Sequence, residues 1–187
     1  MTTGLYGGAF DPPHLGHVEV AHAAKAHFGL PRLIVLVSAA PGHKEVETPV
    51  GVRLELARAA FPDCEVELDP HERTVDALAA GRWRDPLFVI GADEFCDFLT
   101  WKDPEGVLGR ARIAVATRPG YPRERLQSVL DRLSQPQRVQ FFEIEPLPIS
   151  SEEIRERVAR GEPIDDLVPP AVAELIDGRG LYRSQGT

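Results

Sequence analysis

Cysteine is nearly missing. The 187 residues hold two, Cys64 and Cys96, too few for a disulfide framework or a zinc site. An excess of basic charge is missing too. Against 29 Asp and Glu stand 21 Lys and Arg, for a net charge of -8. That balance excludes a broad nucleic-acid-binding face, though not a local basic pocket for small phosphates. No apolar run approaches membrane-spanning length and no signal-peptide pattern opens the chain, so a cytoplasmic address with no membrane partner is expected. Internal repeats, low-complexity stretches and linkers are absent as well. Residues 1–187 suit one domain with a sizeable core, with a C-terminal helical segment from about residue 150.

What is present alternates. Gly4–Tyr6 ends a short strand. Leu15–Phe28 is an alanine-rich helix stopped by Gly29 and Pro31. His22 and His27 on it read as surface or packing residues. Leu33–Val37 is a continuous apolar run, as in a strand covered on both faces. After a long Ser38–Pro49 loop come a helix over Val52–Phe61, a strand over Cys64–Leu68 and a helix over Thr74–Ala80 with Thr74 as N-cap. Leu87–Ile90 and Arg112–Thr117 are strands, separated by a helix and turn carrying Trp101. A helix over Arg123–Leu133, a strand over Val139–Ile144 and helices from Ser151 and Pro170 complete the chain. This alternation predicts an α/β, Rossmann-like doubly wound parallel sheet with helices on both faces and ligands beyond the C-terminal strand ends.

Chemistry concentrates at those ends. Gly7 and Gly8 permit a sharp turn and a close ligand. His14 and His17 then stand three apart at the mouth of the first helix, where imidazoles and free backbone N–H groups make a cradle for phosphate. Lys44, after Gly42 and His43, is most simply a solvated lysine; in a functional reading it closes on a polyphosphate. Ser150 fits an N-cap with Glu153 in a capping box, while Ser151 and Arg155 one turn on also suit a phosphate.

Gly8-Ala9-Phe10-Asp11-Pro12-Pro13-His14-Leu15-Gly16-His17 resembles the G-x-F-D-P-x-H-x-G-H signature of the nucleotidyltransferase superfamily. Ile149-Ser150-Ser151-x-x-Ile154-Arg155 is similar to its second ATP-binding signature. His43-Lys44, Gly91-Ala92-Asp93, Trp101, Arg118-Pro119-Gly120-Tyr121 and Gly180-Leu181-Tyr182 resemble landmarks of bacterial nicotinate-nucleotide adenylyltransferases, in that family's order. The resemblance implies adenylyl transfer from ATP to nicotinate mononucleotide, with pyrophosphate as by-product, in NAD biosynthesis. It implies Gly7, Gly8, Ala9, Phe10, Ile149, Ser150 and Ser151 at ATP, and His14 and His17 nearest the reacting centre. Lys44 and Arg155 would hold the outer phosphates. Thr74, Asp93, Trp101 and Arg118 would hold the nicotinate nucleotide, and Mg²⁺ would be carried mainly by the ATP phosphates. Trp101 reads equally well as a core aromatic. The family pattern has a hydroxyl residue at Ala9, Thr at Glu152, and Tyr-Thr-x-Asp-Thr at residues 73–77, where only Thr74 and Asp76 match. Arg73 is a cation new to that pattern. Two alternatives stay open: another nucleotidyltransferase, with a phosphopantetheine, glycerol- or sugar-phosphate acceptor, and a nucleotide-binding module without catalysis. The sequence leaves a homo-oligomer open.

Overall fold

A computed structural model of the chain describes residues 2–41, 46 and 48–183. Its strands are β1 (Thr3–Gly8), β2 (Arg32–Ser38), β3 (Glu65–Asp69), β4 (Leu87–Gly91), β5 (Arg112–Thr117) and β6 (Val139–Glu143). They form one sheet in the order β3-β2-β1-β4-β5-β6, with every neighbouring pair parallel. The helices are α1 (Leu15–Phe28), α2 (Val50–Ala60), α3 (Thr74–Ala79), α4 (Ala92–Cys96), α5 (Pro104–Leu108), α6 (Arg123–Leu130), α7 (Ser151–Ala159) and α8 (Pro170–Arg179).

The period-2 alternation of strand side chains sends them to two cores. Tyr6, Val35, Val37, Val89 and Ala114 face α1, α2, α7 and α8. Leu5, Ile34, Phe88, Ile90 and Ile113 face α3 to α6. Strands buried on both sides read as unbroken apolar runs, as Leu33–Val37 does. This is the Rossmann-like doubly wound architecture that the alternation predicts.

The register locates the crevice. β1 stays paired with β2 out to Gly8↔Val37. On its other side its pairing with β4 ends at Tyr6↔Val89. The sheet therefore opens between β1 and β4 at its carboxyl edge, where the strand order reverses and ligands of such sheets bind.

Some local expectations change. Gly7 and Gly8 do not make a turn, because both lie inside β1. A Cβ on Gly7 would come within 3.1 Å of the Phe88 ring, and one on Gly8 within 2.9 Å of the Phe10 ring. These glycines make room for aromatic rings, and the turn falls on Phe10, at φ 51. Thr74 is not an N-cap. Arg73 takes that position with extended backbone and no side-chain cap bond, and Thr74 starts α3. The helix and turn expected before Trp101 are α4 and a 3-10 turn at Phe98–Thr100.

Candidate active site at the carboxyl edge of the sheet

Three charged or polar side chains are buried among the described residues: Asp11 and His14 at 7% exposure and Arg53 at 2%. All three belong to the edge beside β1. Phe10 turns the chain there in the left-handed region, a conformation that costs a non-glycine residue about 1 kcal/mol. Its ring is buried edge-on against Tyr6, Phe61 and His17, which offsets that cost. Any ligand contact from Phe10 is thus restricted to its main chain.

His14 is the N-cap of α1. Its backbone N–H donates to Nδ1 of His17 at 3.2 Å, so a neutral His17 carries its proton on Nε2. The two rings stack with centroids 3.7 Å apart and planes 29° from parallel. Gly16 permits this, since a Cβ there would lie 3.1 Å from the His14 ring. Burial lowers the His14 pKa to about 4, so the ring is neutral near pH 7. Its buried Nδ1 has no hydrogen-bond partner among the described residues. A phosphate arriving beside the pair would draw the ring toward its charged form.

The rest of the chain braces this loop from a distance. The Ser151 hydroxyl donates to the Pro12 carbonyl at 2.8 Å, and Nη1 of Arg155 donates to the Asp11 carbonyl at 2.7 Å. The Tyr182 hydroxyl donates to Oδ1 of Asp11 at 2.6 Å. Burial, then this hydrogen bond, pushes the Tyr182 pKa up. Leu15 N–H donates to the Leu167 carbonyl at 2.9 Å. Ser150 caps α7 by accepting from the Glu153 N–H at 3.1 Å, and the Glu153 carboxylate pairs with Arg157. Ile149 packs partly buried against the α1-side core. Glu152 is exposed, and Ala9 is half-buried with its carbonyl bound to Arg53. His43 and Lys44 lie outside the described residues.

The other side of the crevice is wetter. Gly7 meets the Phe88 ring, and Trp101 stands edge-on to that ring at 6.4 Å. Lys102 reaches from the Trp101 loop to both oxygens of Asp76 on α3, at 3.1 and 3.0 Å, so the Thr74 and Trp101 segments are clasped together. Arg73 pairs with its neighbour Glu72 at 2.8 Å. Asp93 accepts from the Tyr121 hydroxyl at 2.8 Å, and the Arg118 guanidinium lies over the Tyr121 ring at 5.8 Å. Arg118 and Tyr121 line an open groove of about 900 Å³ with Leu126, Phe141 and Phe142. Trp101 is not among the residues lining that groove.

Sequence reasoning passed over Arg53, and named Asp11 and Tyr182 only as parts of family motifs, without a role. Arg53 had a local signal: it occupies the first position of the buried stripe Arg53-Leu56-Ala57-Ala60 on α2, where an apolar residue is the rule. The Asp11–Tyr182 bond joins residues 171 apart, which no local pattern announces.

Residues 5–157 match the cytidylyltransferase-like family model. Among curated relatives, the "Probable nicotinate-nucleotide adenylyltransferase" of Rubrobacter xylanophilus is 36% identical, covering 98% of this chain and 93% of that protein. The protein of the same name from Thermus thermophilus is also 36% identical, covering 98% and 100%. Among solved structures, the Plasmodium falciparum nicotinic acid mononucleotide adenylyltransferase complexed with NaAD superposes with a TM-score of 0.78. It covers 97% of each chain at 19% identity, a likeness of fold.

Proposed function

Because the chain belongs to the cytidylyltransferase-like family, we propose that it is an adenylyltransferase of NAD biosynthesis. It joins ATP and nicotinate mononucleotide to give nicotinate adenine dinucleotide and pyrophosphate. One observation carries the reading: the stacked His14–His17 pair at the mouth of α1, beside the opening between β1 and β4.

A phosphate oxygen of the acceptor attacks the α-phosphorus of ATP. The bond from that phosphorus to the bridging oxygen breaks, and pyrophosphate leaves with the electron pair. The attacking oxygen is already anionic, so no general base or covalent nucleophile is needed. Catalysis reduces to alignment and to stabilising charge on the phosphorus and the leaving group.

His14 and His17 are the donors nearest the reacting phosphorus. The main chain from Gly7 to Phe10, Ile149, Ser150 and Ser151 bounds the ATP side. Arg155, now held on the Asp11 carbonyl, turns its remaining N–H groups to the outer phosphates, together with Lys44. On the acceptor side, Trp101 stacks on the pyridine ring, with Thr74, Asp93 and Arg118 around the nucleotide. Among the described residues no group of three or more His, Cys, Asp and Glu gathers as metal ligands. The divalent cation that accompanies ATP, Mg²⁺ on this reading, would be carried mainly by the ATP phosphates and water.

The test is an acceptor panel with ATP and with CTP, scored by pyrophosphate release. The highest kcat/KM belongs to ATP with nicotinate mononucleotide. A higher value with phosphopantetheine or glycerol phosphate, or with CTP, overturns the substrate assignment. ATP binding without any turnover overturns the enzyme assignment.

A further inference from the structure

Arg53 is an arginine where α2 should present an apolar residue. It is 2% exposed and ranks with Phe61 and Leu56 among the largest fully buried side chains. Among the described residues its hydrogen bonds all go to main-chain carbonyls. Nε donates to Thr48 at 3.0 Å, Nη1 to Ala9 and to Ser38 at 2.8 Å each, and Nη2 to Ala39 at 3.3 Å. Burial lowers its pKa, and Asp11 acts through space in the opposite direction.

A residue needed only to seat α2 on the sheet would be better served by leucine, since a buried cation with no carboxylate paired to it among the described residues carries a large desolvation cost. The four acceptors show what the guanidinium does instead. Ala9 follows β1, Ser38 ends β2 and Ala39 follows it, and Thr48 precedes α2. One planar fork therefore sets the spacing of three backbone segments at the carboxyl edge, beside the buried Asp11 and His14. Its cation also lies on the carbonyl side of the Ala9–Phe10 peptide. A trans peptide points its N–H opposite to its C=O. The bond from Arg53 thus aims the Phe10 N–H away from the guanidinium and polarises it toward an anion.

We propose that Arg53 is a positioning residue for the ATP side of this site: it fixes the Ala9, Ser38–Ala39 and Thr48 backbone in the shape that receives a polyphosphate, and supplies a buried positive charge behind that backbone. The inference rests on the adenylyltransferase reading above.

Arg53→Lys keeps the charge and loses the fork; Arg53→Met loses both. For each full-length variant, KM for ATP and for nicotinate mononucleotide, kcat, the urea midpoint, and calorimetric binding of ATP alone are measured. The KM for ATP rises about tenfold in Arg53→Lys and about a hundredfold in Arg53→Met, and ATP binding weakens in step. The acceptor KM stays within about twofold. A merely structural role lowers the folded fraction, and so kcat, while both KM values stay native; that result, or an equal rise in both, overturns the proposal. Where Arg53→Met does not fold, Arg53→Lys decides. A native protein that binds ATP but transfers nothing to nicotinate mononucleotide sinks the reaction assignment. The calorimetric comparison still tests Arg53 in that case.

Discussion

The two banks of the crevice satisfy their polar groups in opposite ways. On the β1 bank, Asp11, His14 and Arg53 are buried, and the loop that carries Asp11 is held by hydrogen bonds that cross most of the chain: Ser151 to Pro12, Arg155 to Asp11, Tyr182 to Asp11. On the β4–β5 bank, the Asp93 side chain is 78% exposed, Arg118 is exposed, and the Lys102–Asp76 and Arg73–Glu72 pairs are solvated. Electrostatic interactions strengthen where water is excluded, and a buried polar group left unpaired is costly. Solvated ion pairs contribute little. On the function proposed above, the β1 bank is built in advance for the atoms that carry charge in the reaction, and the other bank is where the acceptor nucleotide would be tuned by exposed side chains.

Three measurements press on that difference. The largest effect is expected at His17. His17→Ala removes one donor at the developing charge, and kcat falls by roughly two to three orders of magnitude, as for loss of one oxyanion donor. Circular dichroism and the urea midpoint check that the fold stays intact. Near-native turnover in a folded His17→Ala protein would move the reacting phosphorus away from the β1 bank.

The second effect is on stability and comes from His14. Unfolded, its imidazole takes up a proton near pH 6.5, whereas folded it does so only near 4. Between those values the unfolded chain binds the extra proton, so stability is lost as the pH falls from 6.5 toward 4. Going from pH 7 to pH 5, this one group contributes a loss of about 2 kcal/mol. Urea unfolding of the native protein and of His14→Gln at both pH values measures it, and the difference in slope between the two proteins is the contribution of His14. Identical slopes would mean that His14 is not desolvated and that the two banks are alike.

The smallest effect lies on the exposed bank. Nicotinate carries a carboxylate where nicotinamide carries an amide, so the native protein prefers nicotinate mononucleotide in kcat/KM. Arg73 could have favoured that carboxylate had it pointed into the pocket. Held on Glu72 at 2.8 Å, it has its charge largely cancelled. Arg73→Ala should leave the preference within about twofold, the range of an exposed ion pair. A larger drop would show that Arg73 leaves Glu72 for the acceptor and that this bank is less passive than it looks.

Much of the fold was legible because its signals are local. The apolar run Leu33–Val37, the stop at Gly29 and the cap at Ser150 depend on neighbours in the chain, and the structure places β2, the end of α1 and the start of α7 there. The glycines were misread for the same reason. A glycine pair looks like a turn, but what Gly7 and Gly8 accommodate are the Phe88 and Phe10 rings. Phe88 is brought there only by the pairing of β4 with β1.

The sequence by itself determined the alternation of strands and helices, hence a parallel sheet with its loops on one edge. It also determined the glycine-histidine stretch, because a backbone turn, a helix mouth and two imidazoles need only about ten consecutive residues. Tertiary structure alone decided how that stretch is held. Tyr182 meets Asp11 across 171 positions, Arg155 meets it across 144, and Arg53 gathers carbonyls from Ala9 to Thr48. A buried hydrogen bond is chosen by which groups are left without water once the sheet and helices have packed, and that exists only after the chain has closed on itself.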